Sequence, residues 1–188
     1  MWFAGKPLTF YEETVEDAAS GKLRGMILMA GATRASLVDQ VKRQLAYVQS
    51  VAGPDSDKVK AQRTQLAPLL ARIRALTPAD SANTQILLGA PARYYLDLAG
   101  YDPARAMREV KLPLLVLQGQ RDYQVTPDQL EDWLRELGRR QDVMVIQYPG
   151  LNHLFIPGEG PPSPADYSHP GNVAPRVIAD IAAWIGRQ

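Results

Sequence analysis

The sequence predicts an α/β fold: a short, mostly parallel sheet flanked by helices, with a helical segment inserted between its strands. Three observations predict it. The runs MILMA (Met26–Ala30), PLLVL (Pro113–Leu117) and VMVIQY (Val143–Tyr148) are nearly unbroken rather than alternating, as in strands covered by helices on both faces. The last two runs enclose a strongly marked helix. The first two are separated by a stretch too long for a simple crossover, in which apolar residues recur at helical spacing.

Taken in order, residues 1–24 read as an atypical capped amphipathic segment, with Thr9 and Glu12 at capping-box spacing and Gly21 as its stop. The strand Met26–Ala30 follows. From Leu37, one helix face is marked by Val38, Val41, Leu45, Val48 and Ala52, until Gly53-Pro54-Asp55 breaks the chain. A second helix starts near Asp57, with Val59, Gln62, Leu66, Leu69, Leu70 and Ile73 down one side and Pro68 as a kink or restart. Asp80–Thr84 is polar and reads as a loop, and PARYYLDLAGYDP as a short helix ending at Gly100. Residues 37–108 are therefore expected to form a helical cap inserted into one domain spanning 1–188. After the second strand, Thr126-Pro127-Asp128-Gln129 combines a capping box with Pro at the first helical position, Leu130, Trp133, Leu134 and Leu137 supply the apolar face, and Gly138 ends it. The last helix, Pro175–Ile185, places Val177, Ile178, Ile181, Trp184 and Ile185 on one side to cover the sheet.

Composition narrows the function. A chain of 188 residues, 46% hydrophobic and 22% charged, is long enough to bury roughly 70% of its unfolded surface. The net charge of +1 gives no general attraction to nucleic acid or acidic lipid. With no Cys and two His, neither a disulfide framework nor a zinc site is expected. No apolar run reaches the ~18 residues of a membrane span and the first residues lack a signal-peptide pattern, so the cytoplasm is the expected compartment. The Gly and Pro residues of 157–162 form no strand-to-helix phosphate cradle, and neither Gly5-Lys6 nor Gly21-Lys22 is followed by Ser or Thr.

In an open α/β sheet, functional groups collect beyond the carboxyl ends of the strands. Asp122 follows the strand Pro113–Leu117, and His153 follows Val143–Tyr148. An aspartate so placed can hold a histidine in one tautomer and stabilise its imidazolium. Taken singly, Asp122 reads equally as a turn residue or a partner of Arg121, and His153 as a packed loop residue; their joint placement favours a functional pair. His169, before Pro170, is a lesser candidate for the base. Tyr94, Tyr95 and Tyr101 suit either an acyl pocket or packing of the cap. Tyr123 and Gln124 flank the acid, Tyr123 as a candidate pocket residue. Asp128, Glu131 and Asp132 read as a solvated first helical turn.

The stretches YYLDLAGYDP, LPLLVLQGQRDYQVTPDQLEDW, YPGLNHLFIPGEGPPSPADYSHPGNV and VIADIAAWI together resemble the carboxyl half of bacterial α/β-hydrolases of the dienelactone-hydrolase and esterase type, from about Gly25 to the end. The resemblance implies a partial α/β-hydrolase fold, with Asp122 as triad acid, His153 as triad base and the helices of 37–108 as a lid. It implies a serine hydrolase acting on small carboxylic esters through an acyl-enzyme, without metal or organic cofactor.

One part of that pattern is missing. The family's nucleophile is the serine of a G-x-S-x-G elbow, and none of Ser20, Ser36, Ser50, Ser56, Ser81, Ser163 and Ser168 has that context. By the family's spacing the elbow falls at or before Met1, so the chain is expected to be truncated relative to the family and weakly active or inactive alone. A sheet lacking its earlier strands is expected to expose an edge, inviting a homodimer or a complementing chain. The alternative is a non-catalytic module of the same ancestry that binds a ligand or a protein.

Overall fold

The computed structural model describes residues 21, 23–33, 36–52, 57–168 and 170–188; the Thr9–Glu12 capping box and His169 lie outside them. In chain order the elements are β1 (Met26–Met29), α1 (Leu37–Ala52), α2 (Asp57–Arg74), α3 (Ala92–Leu98), α4 (Pro103–Ala106), β2 (Leu114–Gly119), α5 (Asp128–Leu137), β3 (Val143–Tyr148) and α6 (Pro175–Ile185), with 3-10 turns at Pro78–Ala82 and Pro164–Tyr167. The chain divides into two compact units, one of residues 1–33 with 102–188 and one of 34–101.

In the first unit the strands form one sheet in the order β1-β2-β3, both pairs parallel. Met29 lies opposite Leu117 and Gly119 opposite Tyr148, so the carboxyl ends share one edge of the sheet. The middle strand β2 is buried at every residue. Its successive side chains point to opposite faces: Leu114 and Val116 pack with Leu28, Met107, Leu130 and Trp133, whereas Leu115 and Leu117 pack with Phe155, Val177 and Trp184. Both faces being covered is why the run is continuously apolar. β3, at the margin, is less protected, and Met144 is exposed. Among the described residues no strand pairs with the outer edge of β1.

α5 buries Leu130, Trp133 and Leu137 and leaves Leu134 exposed, and α6 buries Val177 and Trp184 while Ile178 and Ile185 face outward. Each helix thus presents a narrower stripe than its apolar residues suggest. The capping box expected at Thr126–Gln129 is not formed, because the buried Gln129 is used elsewhere: its Oε1 accepts from the Thr33 amide at 3.1 Å. Thr33 also donates its hydroxyl to Asp132 (2.9 Å), and the Trp133 indole donates to the Gly31 carbonyl (2.7 Å). These bonds fasten the segment after β1 to α5. Residues 102–108 had been expected in the inserted cap, but Ala104 and Met107 pack against the sheet. Asp102 caps α4 by accepting from the Arg105 amide, with Pro103 at the first position.

The second unit holds α1, α2 and α3 around Val38, Leu70, Ile73, Leu87 and Tyr95. α2 runs uninterrupted through Pro68, an exposed position, so the proline is no restart. The expected loop at Asp80–Thr84 overlaps a 3-10 turn, whose Asp80 carboxylate accepts from the amide and hydroxyl of Thr77 at 2.8 Å each. Those bonds hold the Asp80 carboxyl below its ordinary range.

Candidate active site

β2 delivers Asp122 and β3 delivers His153, each on the loop that follows its strand. The parallel pairing brings those loops together, and Gly119 sets how closely. A Cβ at Gly119 would lie 2.5 Å from the Leu151 carbonyl oxygen and 2.6 Å from that of Asn152. Only glycine lets the histidine loop pass so near the strand end. The Arg121 amide then donates to the Leu151 carbonyl at 2.9 Å, joining the two loops through the backbone.

Asp122 is 1% exposed, and a carboxylate so buried requires partners. Its Oδ1 accepts the amides of Gln124 (2.8 Å) and Val125 (2.9 Å), and its Oδ2 lies 2.8 Å from Nδ1 of His153. With Oδ1 occupied by the turn, Oδ2 is committed to the imidazole. The His153 side chain is about one quarter exposed, at 26%, and its Nε2 has no hydrogen-bond partner among the described residues. A carboxylate facing Nδ1 favours the tautomer protonated there, which leaves Nε2 with a lone pair to accept a proton. Arg121 does not pair with Asp122. It is turned away and buried, donating to the carbonyls of Glu159 (2.8 Å) and Gly160 (3.0 Å), with the Asp166 carboxylate 3.0 Å from Nη2.

The histidine loop is built around Asn152, itself buried. Its Oδ1 accepts the amides of Leu154 (2.9 Å) and Ile156 (3.1 Å), and its own amide donates to the Ile156 carbonyl (3.1 Å). Within this tight turn Phe155 adopts φ of 58°, a left-handed conformation that costs roughly 1–2 kcal/mol for a residue with a side chain. Burial of its ring edge-on against Tyr148, 5.9 Å between centroids, offsets that cost.

The tyrosines fall in different places. Tyr123, beside the acid, sets its ring edge-on to Tyr167 at 5.6 Å. Burial, followed by the charges of Asp122 and Asp166, pushes the Tyr123 phenol up, and burial likewise raises that of Tyr167. Tyr95 is buried in the helical unit, where its hydroxyl donates to the Leu87 carbonyl and its ring meets Tyr94 edge-on at 5.4 Å. It also borders a hollow of about 280 Å³ lined by Val38, Ile73 and Leu98 within that unit. Among the carboxylates Asp128, Glu131 and Asp132 of α5, Asp132 binds Thr33 and Arg135 (2.9 Å each) and thus serves structure.

Three contributors went unseen in the sequence. Asn152 carried a signal, since an Asn beside the histidine in a Gly-rich turn is suited to side-chain-to-backbone bonding. Gly119 carried another, a glycine ending a buried strand. Tyr167 carried none, because it lies in an irregular segment without periodicity. Among the described residues no cluster of His, Asp or Glu is arranged to hold a metal ion, and no helix is long and apolar enough to cross a membrane.

Comparison with known proteins adds the family. The model of the prolyl oligopeptidase family matches residues 81–187, more than half of the chain and the part that contains both Asp122 and His153. A curated relative, esterase EstD of Thermotoga maritima, is 36% identical over 172 residues, covering 92% of this chain and 39% of the esterase. The chain therefore spans about two fifths of that relative's length. The solved structure of E-2-(acetamidomethylene)succinate hydrolase superposes with a TM-score of 0.37 at 22% identity, over 76% of this chain and 56% of that one.

Proposed function

The chain belongs to the prolyl oligopeptidase family and is similar to an esterase, and on that premise we propose that it carries the acid and base of an α/β-hydrolase-type serine-hydrolase site acting on small carboxylic esters. The observation that supports this reading above the others is the 2.8 Å contact between His153 Nδ1 and a buried Asp122 whose other oxygen is already occupied. In the reaction, a nucleophilic hydroxyl attacks the ester carbonyl as His153 Nε2 takes its proton. Asp122 holds the Nδ1 proton and stabilises the imidazolium. His153 then protonates the leaving alcohol and activates the water that releases the acyl group.

The sequence contains no G-x-S-x-G, so this reading assigns the nucleophile and oxyanion donors to none of these residues. The outer edge of β1, with which no strand among the described residues pairs, is the place proposed for a second copy of this chain or a complementing chain to pair. A monomeric mass by light scattering at micromolar concentration would count against self-association. The helices of 37–108 that lie in the 34–101 unit are proposed to act as a lid, and Tyr123, partly exposed beside the acid, to border the ester.

The test is hydrolysis of p-nitrophenyl butyrate by the purified chain beside His153→Ala and Asp122→Asn. Little or no turnover is expected from these residues alone, because they include no nucleophile elbow and each missing oxyanion donor is worth ~10²–10³ in rate. Any turnover that is measurable should fall by ~10²-fold or more in both variants, the usual weight of a general acid–base. Turnover that is measurable and equal in all three proteins would overturn the reading and leave a binding module in its place.

A further inference from the structure

Asp122 and His153 reside on two separate loops, and neither loop alone fixes their distance. The stretch 159–167 touches both. On the acid loop, Arg121 is bound to the Glu159 and Gly160 carbonyls, Tyr123 packs edge-on against Tyr167, and the Gln124 side chain hydrogen-bonds to Tyr167. On the base loop, the amide of His153 itself donates to the Tyr167 hydroxyl at 3.3 Å. Tyr167 is thus bonded simultaneously to the residue two places after the acid and to the backbone of the base. It is half-buried, and its 3-10 turn is anchored by the Ser163 hydroxyl, which accepts from the Ala165 amide, and by Asp166 beside Arg121.

We propose that Tyr167 is a positioning residue: its hydroxyl ties the base loop to the acid loop and so holds His153 Nδ1 against Asp122. This rests on the functional reading above, and deepens it by naming a side chain that holds the pair in addition to the close passage at Gly119. Tyr167 does not reach the reacting atoms; it acts through His153. Because its phenol is raised above the ordinary range, the hydroxyl stays neutral throughout the neutral and mildly alkaline range.

The experiment follows the His153 Nδ1 proton by NMR on the full chain. A proton shared with a buried carboxylate resonates far downfield and exchanges slowly with water. Wild type should show it and Asp122→Asn should lose it. Tyr167→Phe, which keeps the ring and removes only the hydroxyl, should raise its exchange rate roughly 2- to 10-fold, the weight of one hydrogen bond, and should deprotect the His153 amide. Gln124→Ala, which removes the tether's other end, should shift the same signal in the same direction and decides the matter if the first variant unfolds. An Nδ1 proton that vanishes in Asp122→Asn but exchanges at the wild-type rate in both tether variants would overturn the positioning role while leaving the pair intact. Absence of the signal from wild type would overturn the pair and the positioning role together.

Discussion

Replacing Gly119 by alanine tests the account at the point where fold becomes site. The added Cβ would lie 2.5 Å from the Leu151 carbonyl oxygen, whereas carbon and carbonyl oxygen settle at ~3.3 Å or beyond. The obstruction is backbone on both sides, so no side chain can swing away, and the histidine loop must retreat by roughly 0.8 Å. Added to the 2.8 Å between His153 Nδ1 and Asp122, a shift of that size gives ~3.6 Å, which is no longer a hydrogen bond. Forcing a methyl into such a site costs about 1–3 kcal/mol, which lowers the urea midpoint by roughly 1 M. Urea unfolding and the Nδ1 proton resonance should therefore both respond. Gly100→Ala is the control: φ is +81° with nothing within 4 Å, so it should cost roughly 1–2 kcal/mol of backbone strain and leave the resonance untouched. If Gly119→Ala keeps the wild-type midpoint and the resonance, the close passage of the two loops is not what sets the pair.

Other predictions follow from the same packing. Asn152→Ala strands the amides of Leu154 and Ile156 and should destabilise the chain by about 1–3 kcal/mol per unsatisfied group, read by thermal melting; an unchanged melt would contradict the role given to its side chain. Trp133→Ala removes a side chain 1% exposed that also bonds Gly31 and should cost about 3–5 kcal/mol, with a loss below 1 kcal/mol refuting its central place. Asp142 is held below its ordinary value of 3.8 chiefly by the hydrogen bond from Arg140. A lowered carboxyl stabilises the fold above the unfolded value and loses that contribution as pH falls through the folded one. Arg140→Met should therefore weaken the protein more at pH 7 than at pH 3, and a loss equal at the two pH values would argue against the ion pair.

The central strand and the two site loops were legible in the sequence because each left a local mark. β2 had to be continuously apolar to be covered on both faces, and although Asp122 alone reads equally as a turn residue, an aspartate after one strand and a histidine after the next mark a pair at the shared carboxyl edge. The missed features depended on partners distant in sequence. Gln129 satisfies a capping pattern with Thr126, yet the buried amide of Thr33 claims it. Asp102-Pro103 was a helix start hidden in what read as the end of another helix. Ile178 and Ile185 share the apolar side of α6 on paper, but the sheet covers only the line through Val177, Ile181 and Trp184. Pro68 is tolerated because it lies on the solvent side of α2. Tyr167 gains its meaning only from the meeting of two loops.

The most direct test of the pair is the tautomer of His153. Long-range 15N–1H correlation on the labelled chain, which has two histidines, separates Nδ1–H from Nε2–H imidazole at a pH where the ring is neutral. The account predicts that His153 carries its proton on Nδ1 and leaves Nε2 as the base, and that Asp122→Asn abolishes this preference. A ring protonated on Nε2, or one indifferent to Asp122→Asn, would contradict it.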